Sequence, residues 1–186
     1  MFVRFLFLLL GSLIMVSGVY AESSAMSSAL GWKWPALQQG RFVQSKSFAN
    51  LPKPFTTRGY FLRQPGEFIW QTQQPVSQRM EIRDQRLFVE QGDGELVEQP
   101  LGASQVGLLE AMITADFLQL EAYFQLEIMP GEKCVELTPI DKELSDVVQQ
   151  ATLCGEHHLE RIVLEHQEQM RTTIDLEWTA LEAGES

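Results

Sequence analysis

The sequence predicts an α+β fold that is mainly antiparallel β, with two or three helices inserted among the strands. Three observations predict it. From about residue 40 to residue 90, apolar and polar residues alternate in short runs separated by Pro- and Gly-containing turns, the pattern of antiparallel strands with one dry and one wet face. From Val106 the apolar residues recur every three or four positions, as in an amphipathic helix. After Tyr123 the β-prone runs return, again separated by turn residues.

The first residues carry a different signal. Arg4 precedes an apolar run from Phe5 to Val16, and Val19-Tyr20-Ala21 follows. A charged start, an apolar stretch of about 12 residues and small residues before a cut describe a secretory signal peptide. The expected domain organisation is residues 1–21 as a cleaved signal peptide and residues 22–186 as a single domain. An uncleaved membrane anchor is the alternative, but the run is shorter than the roughly 20 apolar residues a span needs. Cleavage implies a secreted chain that makes at most transient membrane contact.

The elements follow in order. Ser- and Ala-rich residues 22–31 predict a short helix or arm, and Trp32, Trp34 and Leu37 an apolar patch that docks on a sheet. A strand starts at Gly40 and runs to about Phe48, and Leu51-Pro52-Lys53-Pro54 reads as a loop. Residues 59–63 and 67–72 form a hairpin around Gln64-Pro65-Gly66. Residues 79–83 and 86–90 continue a meander, ended by Gly92-Asp93-Gly94. Ser104 is placed to cap a helix through Val106, Leu109, Met112 or Ile113, and Phe117, widened by Leu118 and Leu120. A strand at 123–128, a partner at 134–137, a short helix at 141–150, a strand from 151 to 154 and a closing hairpin of 159–165 and 170–178 complete the domain.

Composition excludes several functions. A net charge of −11 argues against nucleic acid and against electrostatic binding to an anionic membrane. The sequence holds no GxSxG, HExxH or GxxxxGK[ST] motif, so it predicts no enzyme, no cofactor and no metal. His157-His158 with Glu156 or Glu160 could ligate a metal, but a solvated turn accounts for them better. Cys134 and Cys154 are the two cysteines. An even count in a secreted chain predicts a disulfide, the alternative being two separate buried thiols.

The strands offer alternate large apolar residues: Phe68 and Trp70, Met80 and Ile82, Leu87 and Val89, Ile174 and Leu176. An ordinary packed core would use them. So would a cavity between a curved sheet and a covering helix, lined additionally by Leu109, Met112, Ile113 and Phe117. Acyl chains in such a space gain roughly 0.8 kcal/mol per buried methylene. An envelope interaction module without a ligand is the competing function.

Gly40-Arg41-Phe42-Val43-Gln44, then Arg58 to Trp70, Gln74-Pro75 and Leu137-Thr138-Pro139 resemble the outer-membrane lipoprotein carrier family, LolA. The resemblance implies an unclosed half-barrel sheet with helices covering its concave face. It also implies a monomeric periplasmic chaperone that carries lipidated protein from an inner-membrane transporter to an outer-membrane acceptor. By the same resemblance Tyr60 and Leu62 face inward beside Phe68 and Trp70. The family has Arg immediately before the hairpin Pro, where it holds the lid. Here Gln64 has that place, so Gln64 becomes the expected lid contact and Arg63 falls on the opposite face. The Lys53-Pro54-Phe55 entry, Arg58-Gly59 and the cysteines resemble a divergent LolA-like subgroup associated with export of aryl-polyene or glycolipid-like molecules, which makes a lipid the alternative cargo.

Overall fold

A computed structural model describes Met26, residues 28–32 and residues 38–179. The expected signal peptide, Trp34, Leu37 and the tail from Glu182 lie outside the described residues.

Eleven strands form one antiparallel sheet. In chain order they are β1 (Gln38–Ser47), β2 (Phe55–Gln64), β3 (Glu67–Gln74), β4 (Gln78–Arg83), β5 (Arg86–Glu90), β6 (Leu96–Glu98), β7 (Phe124–Ile128), β8 (Cys134–Pro139), β9 (Gln150–Cys154), β10 (Arg161–Glu165) and β11 (Arg171–Thr179). Their spatial order is β6-β5-β4-β3-β2-β1-β11-β10-β9-β8-β7. The sheet is therefore open, with β6 and β7 as its edges. These edges are neighbours in the chain, joined by the segment that holds α1 (Ala103–Thr114) and α2 (Phe117–Leu120). The helices thus bridge the two edges of the unclosed sheet. A third helix, α3 (Lys142–Ser145), links β8 to β9.

Side chains at paired positions of an antiparallel sheet share a face. Through the register, Phe42 shares its face with Gly59 and Leu176, and Gly40 with Phe61 and Trp178. Phe61 pairs with Trp70, Trp70 with Met80, Phe68 with Ile82, and Met80 and Ile82 with Val89 and Leu87. Across β11, the same face carries Ile162 and Ile174, Leu153 and Val135, Ala151 and Leu137. This is the inward face, and its residues form the buried cluster together with Val106, Ala111, Phe117 and Leu120 of the helices.

Two glycines let the aromatics lie flat across the strands. A Cβ on Gly59 would come within 1.8 Å of the Gln71 carbonyl oxygen and 2.9 Å of the Phe42 ring. One on Gly40 would meet the Phe61 ring at 2.7 Å. Phe42 in turn stacks on Trp70 with ring centroids 3.8 Å apart, and Phe61 meets Trp178 edge-on at 4.7 Å. Trp32 packs near Phe117, 5.8 Å between centroids, and its indole N–H donates to the Gly155 carbonyl at 2.7 Å. The N-terminal segment is tied to the sheet by that contact.

The register corrects the inward assignment of Tyr60 and Leu62. Tyr60 pairs with Gln71 and Leu62 with Ile69, on the outer face, and Tyr60 is 39% exposed. The Pro65-Gly66 turn, with Gly66 at φ +78°, joins the paired residues Gln64 and Glu67. That two-residue loop forces Phe61 opposite Trp70. Gln64 is corrected with them: it lies in the outer row and donates its side-chain amide to the Glu67 carboxylate, whereas Arg63, paired with Phe68, takes the inward row.

The helices also differ from expectation. α1 begins after Gly102, whose N–H donates to the Gln105 side chain at 2.9 Å, so Ser104 is not the cap. It stops at Thr114 because Ala115 turns left-handed at φ 46°, and Asp116 caps the separate α2 by accepting from the Gln119 N–H. The helix expected at 141–150 is the single turn α3. Cys134 and Cys154 form a disulfide between paired positions of β8 and β9.

Candidate functional site

The inward face is packed at one end and hollow at the other. Near the β2–β3 turn, Phe68, Ile82 and Leu87 are buried in the core cluster, and α1 packs against β5. Toward the opposite end of the same strands lies a cavity of about 760 Å³, lined by Gln44, Phe55, Thr57, Trp70, Thr72, Pro75, Val76, Ser77, Gln78, Met80, Glu90 and the 91–94 turn. That volume is within the usual range for ligand pockets, about 300–1,000 Å³.

Trp70 divides the two regions. One side of its ring lies on Phe42, and the residue also lines the cavity with Met80. Around this apolar floor stand polar residues of the inward rows: Gln44 pairs with Thr57, and Thr72 pairs with Gln78. The mouth carries exposed apolar side chains, Phe55 at 55% and Val76 at 72%. The space is amphipathic, with an aromatic floor, hydrogen-bonding walls and an apolar rim.

Of the expected lining residues, Trp70 and Met80 lie in this cavity. Phe68, Ile82, Leu87, Phe117 and Leu176 are buried in the packed cluster, and Val89, Met112, Ile113 and Ile174 are half-buried against it. Leu109 is 39% exposed on α1. Gln44, Phe55, Thr57, Thr72, Gln78 and Glu90 went unrecognised in the sequence. For the first five the signal was phase: Thr72 is two residues from Trp70 on β3, and Gln78 two from Met80 on β4, whereas Glu90 follows the inward Val89 and lines the cavity out of that phase, at the end of β5.

Other candidate chemistry sits elsewhere. His158 packs edge-on against Trp178 at 5.6 Å and lies 3.9 Å from Glu160. No group of three His, Cys, Asp or Glu side chains among the described residues could hold a metal. On the outer face Glu81 is 3% exposed, held by Arg79 at 2.5 Å and Arg83 at 3.1 Å. No described helix is long and apolar enough to cross a membrane.

No protein-family model matches the sequence, and no curated protein is similar to it. Solved structures are similar in fold. A LolA superfamily protein from Nitrosomonas europaea superposes with a TM-score of 0.50 at 13% identity, covering 86% of this chain and 93% of that one. An outer membrane lipoprotein-sorting protein domain from Vibrio parahaemolyticus gives 0.43 at 10% identity, covering 89% and 93%. A DUF1329 family protein from Desulfovibrio piger gives 0.40 at 10% identity, covering 88% and 92%. With its open antiparallel sheet and the helices that bridge the sheet's edges, the chain has the LolA-like fold.

Proposed function

We propose that this protein is a periplasmic carrier that holds the acyl chains of a lipoprotein or lipid in the cavity beside Trp70 and moves them from the inner to the outer membrane. The observation that carries this reading is the hollow itself. Trp70 and Met80 lie on the inward face, half-buried, and line the cavity, where no described side chain covers them fully, so hydrocarbon can take that place. Such burial is worth roughly 0.8 kcal/mol per methylene, and a cargo with several methylenes in contact needs few polar bonds.

The carrier acts as a monomer, without cofactor or hydrolysis, and meets a transporter and an acceptor at the two membranes. The exposed Phe55 and Val76 at the mouth suit transient contact with such a partner or with cargo in transfer. A glycolipid or aryl-polyene-type lipid is the alternative cargo.

Native mass spectrometry on protein purified from a periplasmic extract without detergent tests the reading. Adducts of lipid mass are expected, together with a mature N-terminus at Glu22. Protein that carries no adduct and fails to bind an apolar fluorescent dye would refute it.

A further inference from the structure

Among the described residues, one charged side chain lines the cavity. Glu90, at the end of β5, lines the space with Gln44, Thr72, Gln78, Trp70 and Met80. Its Oε2 accepts the Arg79 backbone N–H at 2.9 Å, which anchors the carboxylate at the end of β4. Its Oε1 has no hydrogen-bond or ion-pair partner among the described residues. No described Lys, Arg or His is among the lining residues. Lys46, two residues beyond Gln44 on β1, and Arg58, in a shallower hollow with Thr56, Gln74 and Pro75, both lie outside the lining. Side-chain amides and hydroxyls can donate or accept, so Gln44, Thr57, Thr72 and Gln78 do not discriminate by charge. Glu90 does. A hydrogen bond to a carboxylate is strengthened when the donor is cationic, and a second anion in the same partly desolvated space is repelled.

We infer that the cavity selects amphiphiles whose polar head donates hydrogen bonds and carries no negative charge, a primary ammonium above all. The alkyl chain lies over Trp70 and Met80, and the head meets the free oxygen of Glu90. This specificity rests on the carrier reading and adds to it the chemical class of the head.

Three probes with the same alkyl chain test it: dodecylamine, glycerol monolaurate and laurate, each below its micelle concentration, displacing an apolar fluorescent dye from the purified protein. The expected order of affinity is amine, then glyceride, then laurate, with about tenfold or more between first and last, the equivalent of ~1.4 kcal/mol. Glu90→Gln keeps an acceptor for the Arg79 N–H and removes the charge. In that variant the gap between amine and laurate should shrink to within about threefold, with the glyceride still displacing dye. Laurate binding as tightly as the amine in the unaltered protein would overturn the inference while leaving the carrier reading intact. So would an undiminished amine preference in Glu90→Gln, which would trace the preference to the overall charge of −11. Failure of all three probes to displace the dye would overturn the carrier reading and the inference with it.

Discussion

Trp70 stacks on Phe42 of the core and also lines the cavity, so its truncation should register in both stability and binding. A fully buried Trp removes about 150–250 Å² from water. Trp70 is half-buried, so Trp70→Ala strips on the order of 100 Å² of ring contact, worth about 2.5 kcal/mol at about 25 cal/mol per Å². The stack on Phe42, 3.8 Å between centroids at an interplanar angle of 23°, adds up to about 1 kcal/mol. A loss of about 3 kcal/mol lowers the melting temperature of a domain this size by about 6–12 °C. Binding loses the aromatic floor, roughly 50 Å² of contact with cargo or about 1 kcal/mol, hence about a fivefold weaker affinity. Thermal unfolding by circular dichroism and dye displacement on the same preparation read the two effects, with Trp70→Phe as a milder control. A melting point within about 2 °C of the unaltered protein would show that the ring is not packed on Phe42. Unchanged affinity in a folded Trp70→Ala would show that the cargo does not use this floor.

Three further outcomes follow from the geometry. Tyr60→Ser should leave dye binding within about twofold, because Tyr60 is on the outer face, whereas the inward-facing Thr72→Trp fills the cavity and should reduce binding by about tenfold or more; the reverse pattern in titrations would return the site to the other face. Gly59→Ala places a methyl 1.8 Å from the Gln71 carbonyl, forcing β2 from β3 at a cost of about 3 kcal/mol or more, so its denaturation midpoint should fall sharply, and an unaltered midpoint refutes the close approach. Reduction of Cys134–Cys154, separated by 20 residues, should cost about 3 kcal/mol in the chain-entropy account; equal melting with and without reductant would contradict it.

The strands of the β2–β5 meander were legible because period-two alternation and the Pro-Gly turns are local properties. The phase of β2 was harder to read. Tyr60, Phe61 and Leu62 are all apolar enough to face a core, so alternation alone admits either face. The two-residue loop at Pro65-Gly66 held the answer, since it fixes Phe61 opposite Trp70 once Trp70 is placed inward. Gly59 held it too, as the inward residue over which the Phe42 ring lies. The end of α1 was not legible: Ala115 adopts a left-handed conformation that Ala disfavours, so no residue type announced it. β6, three residues long, carries too little alternation to be recognised.

The existence of the meander strands, the pairing of the two cysteines and the inward aromatics of β3 were determined by the sequence itself, because each depends on neighbours a few residues apart or on residue count; the start of β2 was not, since the strand begins at Phe55, four residues before the Gly59 start that alternation indicated. Which residues surround empty space was decided only in three dimensions. Phe68 and Trp70 read identically along β3, yet one is sealed within the buried cluster and the other borders the cavity. The difference comes from what the open sheet and its bridging helices bring over each of them. Hollowness is a volume left between distant segments, and no local pattern encodes it.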